Sequence, residues 1–336
     1  MMTKFDRTIL VTGGAGFIGA NFVEYFAAKY PETRIVDLDA MTYAAHPEAF
    51  AAQRRMPNVV PAVGDITNES AVESLFEAYA PQGVIHFAAE SHVDNSIAAP
   101  LRFVRTNVVG TGVLLDAALR HWRRAGTLES ARFHHISTDE VYGSLGETGL
   151  FDESAPYAPS SPYAASKASS DLLVRSYART YGMNITISNC SNNYGPWQHA
   201  EKLIPTIIAR CLAHQPIPIY GTGRNVRDWL WVGDHCRAVD KIFHDAPKGE
   251  TYNVGGRCER TNLEIVSEIC SILDAVRPWQ GRRYGELLSF VADRPGHDFR
   301  YAIDPSKLMR DLHWAPEMPF KEGLKQTVAW YLARAR

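Results

Sequence analysis

Short apolar runs alternate with longer stretches of helical spacing through the first half of the chain. The runs TILVTG (8–13), RIVDLDA (34–40), NVVPAVGD (58–65), GVIHFAA (83–89) and RFHHISTDEVYG (132–143) read as strands, and residues 15–30 and 70–79 read as helices between them. This alternation predicts an α/β protein built on a Rossmann-type doubly wound parallel sheet. Ligands of such a sheet sit beyond the carboxyl ends of its strands.

From Pro196 the alternation loosens. PIPIYGTG (216–223), DAPKGETYNVGG (245–256) and DRPGHDF (293–299) bring Pro and Gly among single helices such as residues 263–273, which predicts a smaller, mixed α/β lobe across a cleft from the sheet. The expected division is a dinucleotide domain over 1–190, with a returning segment near 225–256, and a substrate lobe over 191–224 and 257–336. Two further amphipathic stretches, 101–122 and 164–181, carry Val104, Val108, Leu115, Leu119, Leu172, Leu173 and Tyr177 at helical spacing, and packing on the sheet is their expected use.

Composition narrows the partners. With 336 residues, 46% of them apolar, the chain buries a large core without staples. The 35 basic and 37 acidic side chains nearly cancel, so no global field recruits nucleic acid or an anionic membrane. Five cysteines (Cys190, Cys211, Cys236, Cys258, Cys270) form no CxxC pair and no metal-like spacing, which suits a reducing, cytoplasmic setting and no bound metal. No run reaches the ~18 apolar residues of a membrane span.

Gly13, Gly16 and Gly19 form GxxGxxG between the first strand and the first helix. Such glycines let a pyrophosphate approach backbone amides at a helix N-terminus. Asp39 ends the next strand, where a carboxylate accepts ribose hydroxyls and repels a 2′-phosphate, so NAD is favoured over NADP. Asp37 competes, and the alternation of strand side chains is expected to leave one of the two well aimed, with Asp39 nearer the strand end. Asp65 and Ile66 close the third strand and are candidates for the adenosine, a solvated turn being the plain alternative for Asp65.

Tyr163 and Lys167 stand four residues apart after the turn Pro159-Ser160-Ser161-Pro162, so one helix face presents both. A lysine cation near the phenol is expected to lower its pKa towards the range of a general base. Thr138, Asp139 and Glu140 follow the strand RFHHI at the ligand edge of the sheet. Two carboxyls in different surroundings supply the acid and the base that an elimination of water needs. The plain alternative for the pair is a helix N-terminus or a loop salt bridge.

These residues resemble the extended short-chain dehydrogenase/reductase family. AAESHVD (88–94), STDEVYG (137–143), NCSNNYGP (189–196), EKLIP (201–205), NVRDWL (225–230) and DRPGHD (293–298) are similar to its dTDP-glucose 4,6-dehydratase subgroup, through nearly the whole chain. The resemblance implies that Tyr163, with Lys167 and Thr138, takes the C4 hydroxyl proton as NAD oxidises C4. Glu140 then takes the C5 proton, Asp139 protonates the departing C6 hydroxyl, and the hydride returns to C6. It implies cofactor contacts from Phe17, Ile18, Asp39, Thr42, Asp65, Ile66, Phe87, Ala89, Thr106, Tyr163, Lys167 and Asn193. For the sugar nucleotide it implies Ser91, Thr138, Asn192, Glu201, Lys202, Leu203, Pro218, Tyr220, Arg227, Asn262, Arg294 and His297. It further implies a homodimer through two helices per subunit, for which the two amphipathic stretches are candidates.

Ala40, Asn95 and Gln198-His199-Ala200 depart from the subgroup's usual residues. UDP-glucose remains an alternative substrate, since one methyl group is worth only ~1–3 kcal/mol in an apolar pocket. A sugar-nucleotide 4-epimerase or decarboxylase would share Tyr163 and Lys167 but dispense with the Asp139–Glu140 pair. A non-catalytic NAD-binding regulator would keep the glycine turn and tolerate loss of all five proton-transfer residues.

Overall fold

The computed structural model describes residues 5–293 and 298–335. In chain order the strands are β1 (Arg7–Thr12), β2 (Thr33–Asp39), β3 (Val59–Val63), β4 (Gly83–His86), β5 (Arg132–Thr138), β6 (Ile185–Cys190), β7 (Asn192–Tyr194), β8 (Ile217–Tyr220), β9 (Val226–Trp231), β10 (Thr251–Val254), β11 (Glu259–Thr261) and β12 (Leu288–Val291). The helices are α1 (Phe17–Lys29), α2 (Pro47–Gln53), α3 (Glu69–Tyr79), α4 (Val93–Ala98), α5 (Pro100–Phe103), α6 (Thr111–Ala125), α7 (Pro162–Tyr181), α8 (Leu203–Leu212), α9 (Val232–Asp245), α10 (Asn262–Val276), α11 (Ser306–Leu312) and α12 (Phe320–Arg334).

One all-parallel sheet has the order β10-β6-β5-β4-β1-β2-β3. Strand order reverses between β1 and β4, which opens a crevice at their carboxyl ends. The strands are apolar on both faces because both are covered. Leu10, Val36, Val84 and Phe133 face Phe76 of α3, Leu115 and Trp122 of α6, and Val174 of α7. Ile9, Val11, Ile35 and Ile85 face Phe22 and Phe26 of α1 and Val239 and Phe243 of α9. Each fully buried side chain of this size contributes about 1.5–3 kcal/mol of transfer free energy.

The remaining strands form two small sheets, β11-β9-β7 and β12-β8. They pack with α8, α10 and α12 around a separate core that includes Ile207, Trp229, Ile265, Ile269 and Leu324. The Thr261–Glu264 capping box starts α10, satisfying amides that would otherwise be orphaned. Between these lobe elements the chain returns to the large sheet, with α9 against α1 and β10 beside β6.

Two stretches differ from the sequence reading. Residues 101–122 are not one regular helix: a π-helical turn, Val104–Gly110, lies between α5 and α6. At its end Gly110 sits against Ile66, where an added Cβ would come within 2.6 Å of Ile66 Cδ1. The apolar stripe also divides: Leu115 and Leu119 pack inward, whereas Val104 (44% exposed) and Leu172 (59%) face solvent. The second difference is that β5 stops at Thr138, and Asp139–Tyr142 form a 3-10 turn.

Candidate active site

The crevice holds a cavity of about 300 Å³ that runs from the turn after β1 to the start of α8. Its first wall is the glycine turn. Gly13 adopts φ +79°, and a Cβ there would stand 2.6 Å from the Ala88 amide nitrogen; a Cβ at Gly19 would stand 2.1 Å from the Gly13 carbonyl oxygen. Only glycine fits both places. Helix α1 starts at Gly16 with no side-chain cap and no acidic residue in its first turn, so its leading amides face the cavity through Gly16, Phe17, Ile18 and Gly19. That is an anion cradle.

Asp39 lines the cavity and accepts from the amides of Ala15 (2.9 Å) and Met41 (2.8 Å). Asp37 lies deeper and accepts from the Gly14 amide at 2.9 Å. Strand alternation does not separate the two, contrary to the expectation, because positions two apart share a face. Depth separates them. Burial first, and then the neighbouring Asp39, push the Asp37 carboxyl up to about 8. Asp39 is at the strand end, open to the cavity. Asp65 lines the cavity while its carboxylate accepts from the amide and hydroxyl of Thr67, so it serves the turn as well. Ile66, Thr42, Phe87, Ala89, Thr106 and Asn193 line the same space. The π-helical turn contributes Thr106 and also Asn107, whose amide group clamps the Glu90 backbone (2.8 and 3.0 Å) and Ser166 of α7 (2.8 Å). It thereby ties the loop after β4 to the helix that carries Tyr163.

The second wall carries the proton-transfer groups. Ser161 caps α7 by accepting from the Ala164 amide at 3.1 Å, and Pro162 occupies the first turn, which sets Tyr163 and Lys167 on the cavity face. At the end of β5, Thr138 lies beside them and accepts from the Glu140 amide (3.3 Å). Asp139 is 2% exposed; Oδ1 accepts from the Thr138 hydroxyl at 3.3 Å, and Oδ2 has no hydrogen-bond partner among the described residues. Burial, reinforced by the Glu140 and Asp228 carboxylates and opposed by Arg227, holds Asp139 well above the usual carboxylate range. That direction favours its protonated, donating form. Glu140 is half-buried beside it.

The sequence expectation for the tyrosine is corrected here. Burial and the Glu140 carboxylate hold the Tyr163 phenol well above its usual value, with the Thr138 side chain opposing them. Lys167 directs its ammonium to the Ile136 carbonyl (2.7 Å) and to His135 (3.4 Å) in β5, and burial draws it down to about 8. The lysine charge is spent on the strand, while carboxyls crowd the phenol.

Of the residues expected at the sugar nucleotide, Ser91, Thr138, Asn192 and Lys202 line the cavity, and Lys202 donates to the Ser91 carbonyl at 2.9 Å. Glu201 and Leu203 flank Lys202 outside that lining, with Glu201 3.7 Å from both His92 and His199. Pro218, Tyr220, Arg227 and Asn262 belong to the small sheets and the start of α10, apart from the cavity wall. Arg227 is buried, donates to the carbonyls of Val226 (2.8 Å) and Asp298 (3.0 Å), and stacks on Tyr301 at 4.3 Å. Its neighbour Asp228 takes the Gly256 and Cys258 amides, so Arg227 is no surface ion pair. Arg294 and His297 lie outside the described residues.

The cavity also contains residues that the sequence reading did not assign: Glu90, Ser137, Cys190, Ser191, Gln198 and His199. Glu90 is 7% exposed, ion-paired to Arg102 and bonded by the Tyr43 hydroxyl at 3.0 Å. Its signal was its place inside AAESHVD, and Cys190 and Ser191 likewise sit inside NCSNNYGP.

Comparison with known proteins agrees with this geometry. Residues 10–327 match the family model described as GDP-mannose 4,6 dehydratase. A dTDP-glucose 4,6-dehydratase of Xanthomonas campestris pv. campestris (strain B100) is 51% identical over 97% of this chain and 93% of its own. The solved structure of the dTDP-glucose 4,6-dehydratase DesIV from Streptomyces venezuelae, which has NAD bound, is 42% identical, covers 97% of each chain and superposes with a TM-score of 0.88. A UDP-glucose 4-epimerase from Thermotoga maritima superposes almost as well, with a TM-score of 0.85 over 98% of this chain and 100% of its own, at only 26% identity. Backbone likeness alone does not separate the two chemistries.

Proposed function

The chain belongs to the dTDP-glucose 4,6-dehydratase family, and on that premise we propose that it converts dTDP-glucose to dTDP-4-keto-6-deoxyglucose and water. The observation that carries this reading is the Asp139–Glu140 pair, one member a buried carboxyl, in the same cavity as Tyr163 and Lys167. An epimerase needs no such pair.

The residues present fit NAD. The glycine cradle would take its pyrophosphate and Asp39 its adenosine ribose, with no arginine beside Asp39 to favour a 2′-phosphate. The chemistry a bound NAD supplies is reversible acceptance of a hydride, taken from sugar C4 and returned at C6. Thr138 holds the C4 hydroxyl, and Tyr163, reacting as the phenolate, takes its proton as that carbon becomes a ketone. The ketone acidifies C5. Glu140 takes the C5 proton while Asp139 gives its own to the C6 hydroxyl, so one water leaves and the charges on the pair exchange. Lys202, Ser91 and Asn192 would hold the sugar nucleotide, with Arg227, Tyr220, Asn262 and the small lobe closing over its diphosphate and base.

We read the protein as a cytoplasmic homodimer. Its five cysteines are free thiols, and among the described residues no helix is long and apolar enough to cross a membrane. Ile97, Leu101, Val104, Val109 and Leu172 are 44–80% exposed on α4, α5, the π-helical turn and α7, apolar surface suited to a second copy.

The test is incubation with dTDP-glucose and, separately, UDP-glucose, reading product mass. Loss of one water supports the reading and ranks the nucleotides. An unchanged mass with a new C4 epimer, or no turnover, overturns it.

A further inference from the structure

Behind the cavity wall, the partners of Lys167 lead away from the substrate. Its ammonium lies 3.4 Å from His135 Nε2, and the same ring nitrogen lies 3.3 Å from Asp171 Oδ1. Lys167 is 4% exposed and the other two side chains are fully buried. Asp171 stands one helical turn beyond Lys167 in α7. Its Oδ2 accepts from the Ser137 and Tyr157 hydroxyls, each at 2.8 Å, and the Tyr157 hydroxyl in turn accepts from Arg175 at 3.0 Å. Neutral donors thus hold the carboxylate without cancelling its charge.

The neighbours on the other elements are uncharged at neutral pH. Burial keeps His86 and His135 well below the usual histidine range and pushes the Cys190 thiol up to about 12 and the Tyr142 phenol higher still. Asp139 and Glu140 face this region from the cavity side through Tyr163 and Cys190, and Asp139 and Glu153 act on Tyr142. Inside the network stand Lys167 and Asp171, with Arg175 at its outer end; burial raises the Asp171 carboxyl above its usual range, and Lys167 is the first of the groups that oppose this. A buried ammonium without a carboxylate gives up its proton.

We propose that Asp171, acting through His135, is a positioning residue: the buried counter-ion that keeps the Lys167 ammonium charged and held at the cavity wall. Oxidation of the sugar needs that charge, because a neutral lysine does nothing to stabilise the alkoxide and phenolate that form beside it. Burial draws Lys167 down to about 8 even with Asp171, the first of the groups that pull it back, in place. With Asp171 ionised, the imidazole bears its proton on Nε2 and turns it towards the carboxylate. With Asp171 protonated, the same nitrogen accepts from Lys167. The imidazole therefore accommodates either state without moving.

The role of Lys167 in turnover rests on the dehydratase reading, so the test has two arms. In the first, isotope-labelled lysine in the substrate-free protein is titrated by NMR, with Lys167 identified through Lys167→Met. In the second, the pH profile of kcat with dTDP-glucose is measured on the holoenzyme. In Asp171→Asn the Lys167 midpoint falls by about one pH unit or more, and the alkaline limb of kcat moves to lower pH by the same amount. Near neutral pH kcat drops about twofold, approaching tenfold well above pH 8, and recovers as the pH is lowered, while KM stays within about twofold because Asp171 does not line the cavity. Tyr157→Phe, which removes one donor and keeps the packing, shifts both readings the same way by less, and it serves if Asp171→Asn does not fold. A lysine midpoint and alkaline limb that stay put in both variants overturn the proposal, and so does a loss of kcat that is uniform across pH. If the wild type fails to dehydrate dTDP-glucose, the dehydratase reading falls and the lysine titration still decides the counter-ion.

Discussion

Asp139 and Asp240 are equally buried, each 2% exposed, and the protein uses them in opposite ways. Asp240, on α9 near the amino ends of the strands, is fully provided for. It accepts from Lys29 Nζ (2.5 Å), Tyr25 (2.7 Å), His244 Nδ1 (2.8 Å) and Tyr30 (3.0 Å), and His244 passes on to Arg7 at 2.6 Å. Burial opposes its charge, yet the bonds from His244, Lys29 and Tyr25 prevail and hold it well below the usual carboxylate range. Asp139, at the carboxyl ends, has one long bond from Thr138 and an oxygen with no partner, so burial wins and the group keeps its proton. One end of the sheet spends its hydrogen bonds on stability. The other withholds them, and a carboxylic acid remains available for chemistry at neutral pH.

The comparison breaks most severely at Glu140. In Glu140→Gln the C5 proton has no acceptor, and kcat falls by about 10³–10⁴ with the fold intact; the check is kcat beside thermal melting, together with loss of solvent deuterium incorporation at C5. Asp139→Asn removes the acid, so kcat falls by about 10², but stability moves the other way. A carboxyl whose folded pKa is raised loses stability as pH climbs from its unfolded value, ~3.9, towards the folded one, so the variant melts no lower than wild type at neutral pH and higher in alkali. A clear drop in its melting temperature would contradict the contrast.

Asp240→Asn is the mirror experiment. It leaves kcat within about twofold and costs about 2–4 kcal/mol in denaturant unfolding, because Lys29 and two tyrosines lose the charge they surround. Since the Asp240 pKa is depressed, its contribution is complete above ~3.9 and is lost as the pH falls through the folded value. The gap between wild type and variant therefore closes in acid. The smallest effect on the chemistry belongs to Leu172→Glu. If the exposed apolar face joins two copies, this change converts dimer to monomer by light scattering while each subunit keeps its cavity.

How much of this was legible depends on how locally each feature is encoded. The glycine turn, Asp39 at a strand end and the Tyr163–Lys167 spacing are local, and each lines the cavity as the sequence order suggests. The preference for Asp39 over Asp37 rests on nearness to the strand end and on alternation, and alternation cannot separate them. Burial depth does, and depth is set by α1 and α2 packing from elsewhere in the chain. The lowering of the Tyr163 pKa by Lys167 rests on two residues, whereas the environment of that phenol is fixed by Thr138 at the end of β5 and Glu140 in the 3-10 turn after it. The two stretches that hold Leu115 (101–122) and Leu172 (164–181) both read as packing on the sheet. Only the placement of α6 and α7 on the sheet sends one inward and leaves the other to solvent.

By itself the sequence determined the parallel sheet, the cradle and the chemical kinds of group that meet there, because periodicity, glycine and residue type act over a few neighbouring positions. Tertiary structure alone decided the proton inventory. Whether Asp139 keeps its proton, Asp240 gives its up and Lys167 leans on His135 and Asp171 follows from which donors arrive from distant strands and helices, and from how much water the packing leaves behind.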